Sequence, residues 1–202
     1  LAGMGVKMLN ILLGAVALGL LWSVTTMGVF LTYRVLDIAD LTVEGSIVLG
    51  ASVAAVVIQQ GGSPWLATLA ALAAGLCAGL VTGMLHVLLK IPSLLAGILC
   101  MIALYSVNIR VMLGTSNVSL LRRPTILTGL SGLGLTKNAS AIVVGAACAI
   151  LMIGVLYWFL GTEIGCSLRA TGDSPQMARA PGINTEGSKV LGYMLGNGLV
   201  GL

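Results

Sequence analysis

The sequence predicts an all-α fold, a polytopic bundle of transmembrane helices, on the strength of two observations. The chain of 202 residues is 58% hydrophobic and only 8% charged, with a mean hydropathy of +1.09, whereas soluble domains carry about 25% charged residues. Charge-free runs recur along the chain, and several approach the roughly 20 apolar residues that a helix needs to cross a bilayer. We therefore expect one integral membrane domain over residues 1–202.

Five charge-free runs predict membrane spans, and a sixth run begins before the chain ends. We place the five spans near residues 9–32, 43–60, 65–89, 91–113 and 139–161, and the start of the sixth near 188–202. The sixth run stops at Leu202 without a polar flank, so we expect that C-terminal helices of the natural protein are missing from this chain. The second span is short, because residues 45–58 make a helix only about 21 Å long.

Three acidic residues precede or begin this short second span. On a helix, Asp37, Asp40 and Glu44 would share one face, with Arg34 three residues before the first of them. One interpretation is a solvated interfacial face that Arg34 partly neutralises. The other is the cytoplasmic mouth of a watery cavity, or a contact with a partner protein.

Two features inside the spans are a glycine repeat in the third span and a pair of polar residues in the fourth. Gly75, Gly79 and Gly83 recur every four residues in the third span and predict close helix packing, since small residues let helix backbones approach in lipid. Asn108 and Arg110 lie near the end of the fourth span. Either Arg110 extends its charge to the interface, or the two residues line the outer part of a translocation path.

The sequence offers no catalytic site. It has a single histidine, His86, no Cys-x-x-Cys spacing among four cysteines and no Gly-Lys pair, and hence no phosphate-binding loop. Basic residues are not interleaved with aromatic ones as in nucleic-acid-binding proteins. We predict no catalytic residues, no metal site, no cofactor in this chain and no nucleic-acid partner.

Basic residues leave the orientation open. If residues 163–187 are cytoplasmic, alternation of the spans puts residues 34–44 and Lys90 on the same side. Half of the ten basic residues then lie on each side, so the excess of Lys and Arg that marks cytoplasmic loops is absent.

Residues 163–187, EIGCSLRATGDSPQMARAPGINTEG, interrupt the apolar pattern of the second half. Residues 167–171 predict a short helix that Gly172 breaks. Asp173 or Ser174, followed by Pro175, is typical of the start of a second helix, which Pro181 and Gly182 would stop. The two short helices, with exposed arginines, are either an ordinary structured loop or a plug for a groove on another protein.

This segment also carries a family resemblance. Its pattern Gly165-x-x-x-Arg169-Ala170-x-Gly172-Asp173-x-x-x-x-Ala178-x-x-x-Gly182-Ile183 resembles the cytoplasmic coupling segment of ABC-importer permeases of the branched-chain amino acid and ribose superfamily. Residues 33–51, YRVLDIADLTVEGSIVLGA, are similar to an early segment of that superfamily, and most resemble its tryptophan/tyrosine transport branch. The resemblance runs from about Met8 to Leu202, although Pro181 departs from the pattern.

The resemblance implies a type II-like permease subunit of an ATP-driven importer in the bacterial inner (cytoplasmic) membrane. A substrate-binding protein or lipoprotein would deliver a small solute, which the superfamily implies to be an amino acid and the tryptophan/tyrosine branch implies to be an aromatic one. Two ABC ATPase subunits would bind ATP and Mg, and a second copy of the permease would complete a homodimer in the lipid bilayer. The residues implied to couple to the ATPase are Gly165, Arg169, Ala170, Gly172, Asp173, Ala178 and Gly182.

Other functions remain open on the residues alone. An ion-coupled secondary transporter would place acidic residues in the bundle interior at mid-span, and the sequence shows none there. An ABC importer could instead move a branched-chain amino acid, a sugar or a nucleoside. A structural or assembly protein would have no ATPase partner.

Overall fold

The computed structural model describes residues 2–112, 114 and 137–202, and within them the secondary structure is helical without strands. The predicted all-α class is confirmed. The α-helices are α1 Ala2–Phe30, α2 Thr42–Gln59, α3 Pro64–Leu88, α4 Ser93–Val111, α5 Lys137–Leu160, α6 Glu163–Asp173, α7 Pro175–Arg179 and α8 Thr185–Gly201.

Five of the described helices are long and apolar enough to cross a membrane. These candidate spans are Asn10–Val35, Thr42–Gln59, Pro64–Leu88, Ser93–Val111 and Ala139–Leu160. Their ends lie within a few residues of the limits read from charge-free runs, although the predicted limit at 113 lies outside the described residues. Large apolar side chains on these helices are exposed, as on α5, where Tyr157 is 84% exposed. In a membrane protein such side chains face lipid.

The chain between α1 and α2 is irregular. Helix α1 passes into a π-helical turn, Leu31–Val35, and backbone hydrogen bonds from Leu36 N to Leu31 O and from Ile38 N to Thr32 O close it. Asp37 then adopts a positive φ of 55°. This left-handed conformation is uncommon for a non-glycine residue, and it cannot continue a right-handed helix. Residues 37–41 are not helical, so the single helical face expected for Asp37, Asp40 and Glu44 does not form.

Helix α3 packs along α8 through its glycine stripe. A Cβ atom at Gly75 would meet Asn197 O, one at Gly79 would meet Tyr193 O, and one at Gly83 would lie 3.0 Å from Val190 Cα. These separations leave no room for a side chain at the first two positions. The predicted close packing is confirmed, and the structure identifies α8 as the partner.

A buried apolar cluster joins the elements at one end of the bundle. It consists of Leu31, Leu36, Ile38, Leu168 and Tyr193, which come from the end of α1, the segment after it, α6 and α8. The cluster seats the short polar helix α6 against the spanning helices. Residues 31–41 and 163–187 therefore lie together at the same end of the protein.

Candidate functional site

Two short helices project the polar segment from this end of the bundle. Thr162 caps the start of α6, its Oγ1 accepting a hydrogen bond from Gly165 N at 3.3 Å. Ser174 caps α7 in the same way, with Oγ accepting from Met177 N at 3.4 Å, and Pro175 occupies the first turn. Of the two predicted capping residues, Asp173 and Ser174, the structure shows that Ser174 caps α7. The cap at Thr162 was not predicted, nor was the start of α6 at Glu163 in place of residue 167.

Gly172 has a different role from the predicted one. It lies inside α6, which continues to Asp173, so the prediction that Gly172 breaks the helix is wrong. A Cβ atom there would meet Val35 O and lie 3.0 Å from Leu36 Cα. Gly172 therefore lets the α6 backbone lie directly on the chain that follows α1.

Of the other small residues of the coupling pattern, Gly165, Ala170 and Ala178 are packed inside, whereas Gly182 is exposed. A Cβ atom at Gly165 would meet Phe159 O and lie 2.5 Å from Leu160 Cα, so this glycine lets α6 fold back on the end of α5. Ala178 is buried, and Ala170 is half-buried. Gly182 has a φ of 90°, a conformation that favours glycine, and it turns the chain after α7.

Two charged residues of the pattern, Arg169 and Asp173, form an exposed surface with Arg179, which lies outside the pattern. Arg169 and Asp173 are exposed on α6, and Arg179 is exposed on α7. Arg179 Nε donates to Thr185 Oγ1 at 2.9 Å and its guanidinium lies 4.0 Å from Glu186 Oε1, an exposed ion pair of small energetic weight. Met177, which the sequence analysis did not single out, is 78% exposed beside them. A lone apolar residue in a short polar helix is the signal that could have identified it.

A second polar group lies inside the bundle. Asp40 Oδ2 accepts a hydrogen bond from Asn197 Nδ2 at 2.6 Å, and Asn197 Oδ1 accepts one from Ser46 Oγ at 2.6 Å. Thr42 and Thr82 share a hydrogen bond of 3.0 Å nearby. Asn197 and Ser46 are fully buried and Asp40 is half-buried. The sequence analysis expected no acidic residue at mid-span; Asp40 precedes the first residue of α2, and its turn toward the interior was not predicted.

The three acids predicted at a cytoplasmic mouth are separated. Asp37 and Glu44 are exposed, whereas Asp40 turns inward and also accepts a hydrogen bond from Thr42 N at 2.9 Å. That bond satisfies one of the free N–H groups at the start of α2. A role for Asp37 and Glu44 at a mouth or a partner contact stays a prediction.

Asn108 and Arg110 are also placed apart. Asn108 is 5% exposed and its Nδ2 donates to Gly45 O of α2 at 3.4 Å, while Arg110 is exposed. Two buried polar atoms have no hydrogen-bond partner among the described residues, Asn108 Oδ1 and Tyr193 Oη. Unsatisfied polar atoms are expensive inside a membrane, so Asn108 Oδ1 is suited to accept a hydrogen bond from water or from a passing ligand.

Comparison with known proteins identifies the family. The family described as branched-chain amino acid transport system / permease component matches residues 11–202, which is most of the chain and includes both polar groups described above. The chain belongs to this permease family. No solved structure matches the chain.

Two relatives of the permease are informative. It is 39% identical over 183 residues to the tyrosine transport system permease protein of Clostridioides difficile (strain R20291), an alignment covering 91% of this chain and 59% of that protein. It is 34% identical over 194 residues to the uncharacterized protein RP368 of Rickettsia prowazekii (strain Madrid E), covering 96% of this chain and 66% of the relative. The chain thus spans about three fifths to two thirds of the length of these relatives.

The described part of the permease contains no group of three or more His, Cys, Asp or Glu side chains that could hold a metal ion. Its two polar groups are instead built for contact and for hydrogen bonding. The exposed charges of α6 and α7 can dock a partner protein, and the Asp40–Asn197–Ser46 chain can hold helices together.

Proposed function

We propose that the chain belongs to the membrane-spanning subunit of an ATP-driven ABC importer that moves an amino acid, most simply tyrosine, across the bacterial inner membrane. The observation that carries this proposal is the 39% identity to a tyrosine transport system permease protein over 91% of the chain. At that level of identity over most of the chain, the two proteins share a fold, and the relative's substrate is the first one to test.

The exposed surface of α6 and α7 supports an ATPase partner. Arg169 and Asp173 project from α6 while Gly165 and Ala178 are buried beneath the surface. The small residues of the coupling pattern thus hold the two helices against the bundle, and the charged residues contact the ATPase subunits. ATP and Mg are bound by those subunits, because the 202 residues contain no phosphate-binding loop.

The outer part of the path is assigned to Asn108 and Arg110. Asn108 Oδ1, which has no partner among the described residues, accepts a hydrogen bond from the solute, and exposed Arg110 attracts its carboxylate at the outer mouth. A binding protein or lipoprotein delivers the solute there, and a second copy of the permease completes the path.

The first experiment measures ATP hydrolysis by the natural permease, purified from its own membranes with the proteins that associate with it. The binding protein is loaded in turn with tyrosine, tryptophan, leucine, a sugar and a nucleoside. Stimulation by tyrosine or tryptophan supports the proposal in full, and stimulation by another ligand corrects the substrate. If no ATPase accompanies the permease, the importer assignment fails.

A charge reversal tests the contact surface. Arg169→Glu is expected to abolish ATP-dependent uptake while the permease still inserts, because the reversed charge faces the ATPase. Lys90→Glu is the matched control, since Lys90 is exposed in the connection between α3 and α4, outside residues 31–38 and 163–187. Normal uptake by the Arg169→Glu variant would remove this residue from the coupling surface.

One observation favours a second candidate, an ion-coupled secondary transporter. Asp40 meets Asn197 inside the bundle next to non-helical backbone, and such transporters bind ions at interrupted helices. Uptake that follows an imposed proton or sodium gradient without ATP would establish this alternative.

A further inference from the structure

We propose that the Asp40–Asn197–Ser46 hydrogen-bond chain transmits movement of the coupling helices to α2, with Asp40 and Asn197 acting as positioning residues. This inference rests on the proposed function, because it requires an ATPase that acts on α6 and α7. It adds a specific route from that contact to the interior of the bundle.

The route begins where α6 lies on the chain that follows α1. Gly172 faces Val35 O without an intervening side chain, and Leu168 is buried in the same cluster as Leu36 and Ile38. Close-packed backbone has little freedom to absorb a displacement. A shift of α6 therefore moves residues 31–38 as well.

The same segment is seated on α8. A Cβ atom at Gly192 would lie 2.5 Å from Leu36 Cδ2, and one at Gly196 would meet Thr32 Cγ2. Helix α8 also follows α7 closely along the chain. Helix α6, residues 31–38 and α8 thus pack as one body at the coupling end.

Asp40 and Asn197 tie α2 to this body. The two oxygens of Asp40 accept from Thr42 N at 2.9 Å and from Asn197 Nδ2 at 2.6 Å, and Asn197 Oδ1 accepts from Ser46 Oγ at 2.6 Å. Ser46 and Asn197 are fully buried, so water does not compete for the bond between them, while Asp40 is half-buried. Both the start and the first turns of α2 are held to α8.

Helix α2 in turn reaches the proposed path. A Cβ atom at Gly45 would lie 2.9 Å from Leu104 Cδ1 of α4, and Gly45 O accepts the hydrogen bond from Asn108 Nδ2. Displacement of α2 therefore acts directly on Asn108, whose Oδ1 has no hydrogen-bond partner in the part of the chain that the structure describes. The hydrogen-bond chain connects the ATPase contact with the solute contact.

An isosteric substitution isolates this link. In Asp40→Asn the single amide oxygen can accept from Thr42 N or from Asn197 Nδ2 but not from both, because the other position becomes a donor. The side chain keeps its size. Asn197→Leu removes the link from the α8 side.

The test uses the complete natural transporter, with its ATPase subunits and binding protein, reconstituted in liposomes. Uptake of radiolabelled tyrosine and ATP hydrolysis are measured on the same sample. Asp40→Asn and Asn197→Leu are expected to retain ATP hydrolysis while tyrosine uptake per ATP falls by about tenfold, a typical coupling effect. A general loss of structure would lower both rates together and leave their ratio unchanged.

Two serines of α2 provide a matched pair of smaller changes. Ser46→Ala removes the bond to Asn197, whereas Ser52→Ala removes only a bond to Leu49 O of the same helix. We expect the uptake-to-ATP ratio to fall in Ser46→Ala and to stay at the wild-type value in Ser52→Ala.

Each result decides the inference. An unchanged ratio in Asp40→Asn overturns it, and where that variant does not fold, equal ratios in the two serine variants overturn it. If the wild-type transporter takes up a different ligand of the panel, uptake by the variants is measured with that ligand in place of tyrosine. A wild-type complex without ATP-dependent uptake of any ligand in the panel overturns the proposed function, and this inference with it.

Discussion

At the scale of single residues, glycine has two different structural roles in the coupling segment. Gly172 provides space, because any side chain there would meet the backbone of residues 35–36. Gly182 provides conformation, because its φ of 90° has open space around it. The sequence shows the same letter at both positions, so it could not tell a helix break from a close contact, and the prediction for Gly172 was wrong for that reason.

The first prediction concerns space. Gly172→Ala is expected to push α6 away from the turn at residues 35–36 and to cost about 1–3 kcal/mol, as overpacking does. It should lower both the melting temperature in detergent and the uptake rate. Gly154→Ala is the control, because Gly154 on α5 has nothing within 4 Å. Equal melting temperatures for the two variants would contradict the close contact.

The second prediction concerns conformation. Gly182→Ala and Gly61→Ala place the same side chain at φ values of 90° and 86°, each at a cost of about 1–2 kcal/mol. We expect similar losses of thermal stability but reduced uptake only in Gly182→Ala, since Gly61 lies in the turn after α2, away from the coupling segment. Equal losses of uptake would remove Gly182 from the coupling role.

At the scale of elements, the contact between α3 and α8 is made by backbone on backbone. Gly75 and Gly79 face Asn197 O and Tyr193 O, and this closeness brings Asn197 within reach of Asp40 and Ser46. The glycine spacing was sufficient to predict a tight contact on α3. It could not identify α8 as the partner, because a small-residue stripe fits any helix that presents a smooth face.

A bulky residue in the stripe tests this contact. Gly79→Leu is expected to separate α3 from α8 and to abolish folding or lower the melting temperature markedly, because a Cβ atom alone would already meet Tyr193 O. Ala73→Leu is the control, since Ala73 is exposed on the same helix. A stable, active Gly79→Leu variant would show that the two helices are farther apart.

In the segment between α1 and α2, residue spacing predicted a helix that the structure does not contain. The spacing of Asp37, Asp40 and Glu44 fits a helix, and sequence alone gives no sign that Asp37 adopts a positive φ. Once the chain turns there, Asp40 points inward to Thr42 N and Asn197. Charge-free runs predicted the spanning helices because crossing a bilayer imposes one length and one composition, whereas long-range hydrogen bonds leave no comparable pattern.

At the scale of the whole molecule, the polar elements gather at one end of the bundle. Residues 35–36 contact Gly172, and His86 Nδ1 lies 2.8 Å from Ile91 O while its ring lies 5.9 Å from the ring of Tyr193. Residues 31–38, 86–91 and 163–187 therefore share one side. Basic residues could not orient this end because they divide evenly.

Thiol labelling determines the orientation. Cys166 is exposed on α6, and we expect a membrane-impermeant maleimide to label it only after the cells are opened. In a Cys166→Ser background, Gln60→Cys, in the exposed turn between α2 and α3, should be labelled in intact cells. The reverse result would place α6 and α7 outside the cell and exclude contact with a cytoplasmic ATPase.

The hydrogen bond between Asp40 and Asn197 has a consequence for biosynthesis. Its partners are 157 residues apart in the chain, so at about 5–20 residues per second the ribosome needs roughly 8–30 s to make the second after the first. During that interval Asp40 and Ser46 have no Asn197 to bond with, and the first turns of α2 can be held only by α3 and α4, through the bond between Thr42 and Thr82 and the bond from Asn108 to Gly45 O. The nascent bundle can close only after α8 has emerged, which makes the early helices dependent on the membrane-insertion machinery until then.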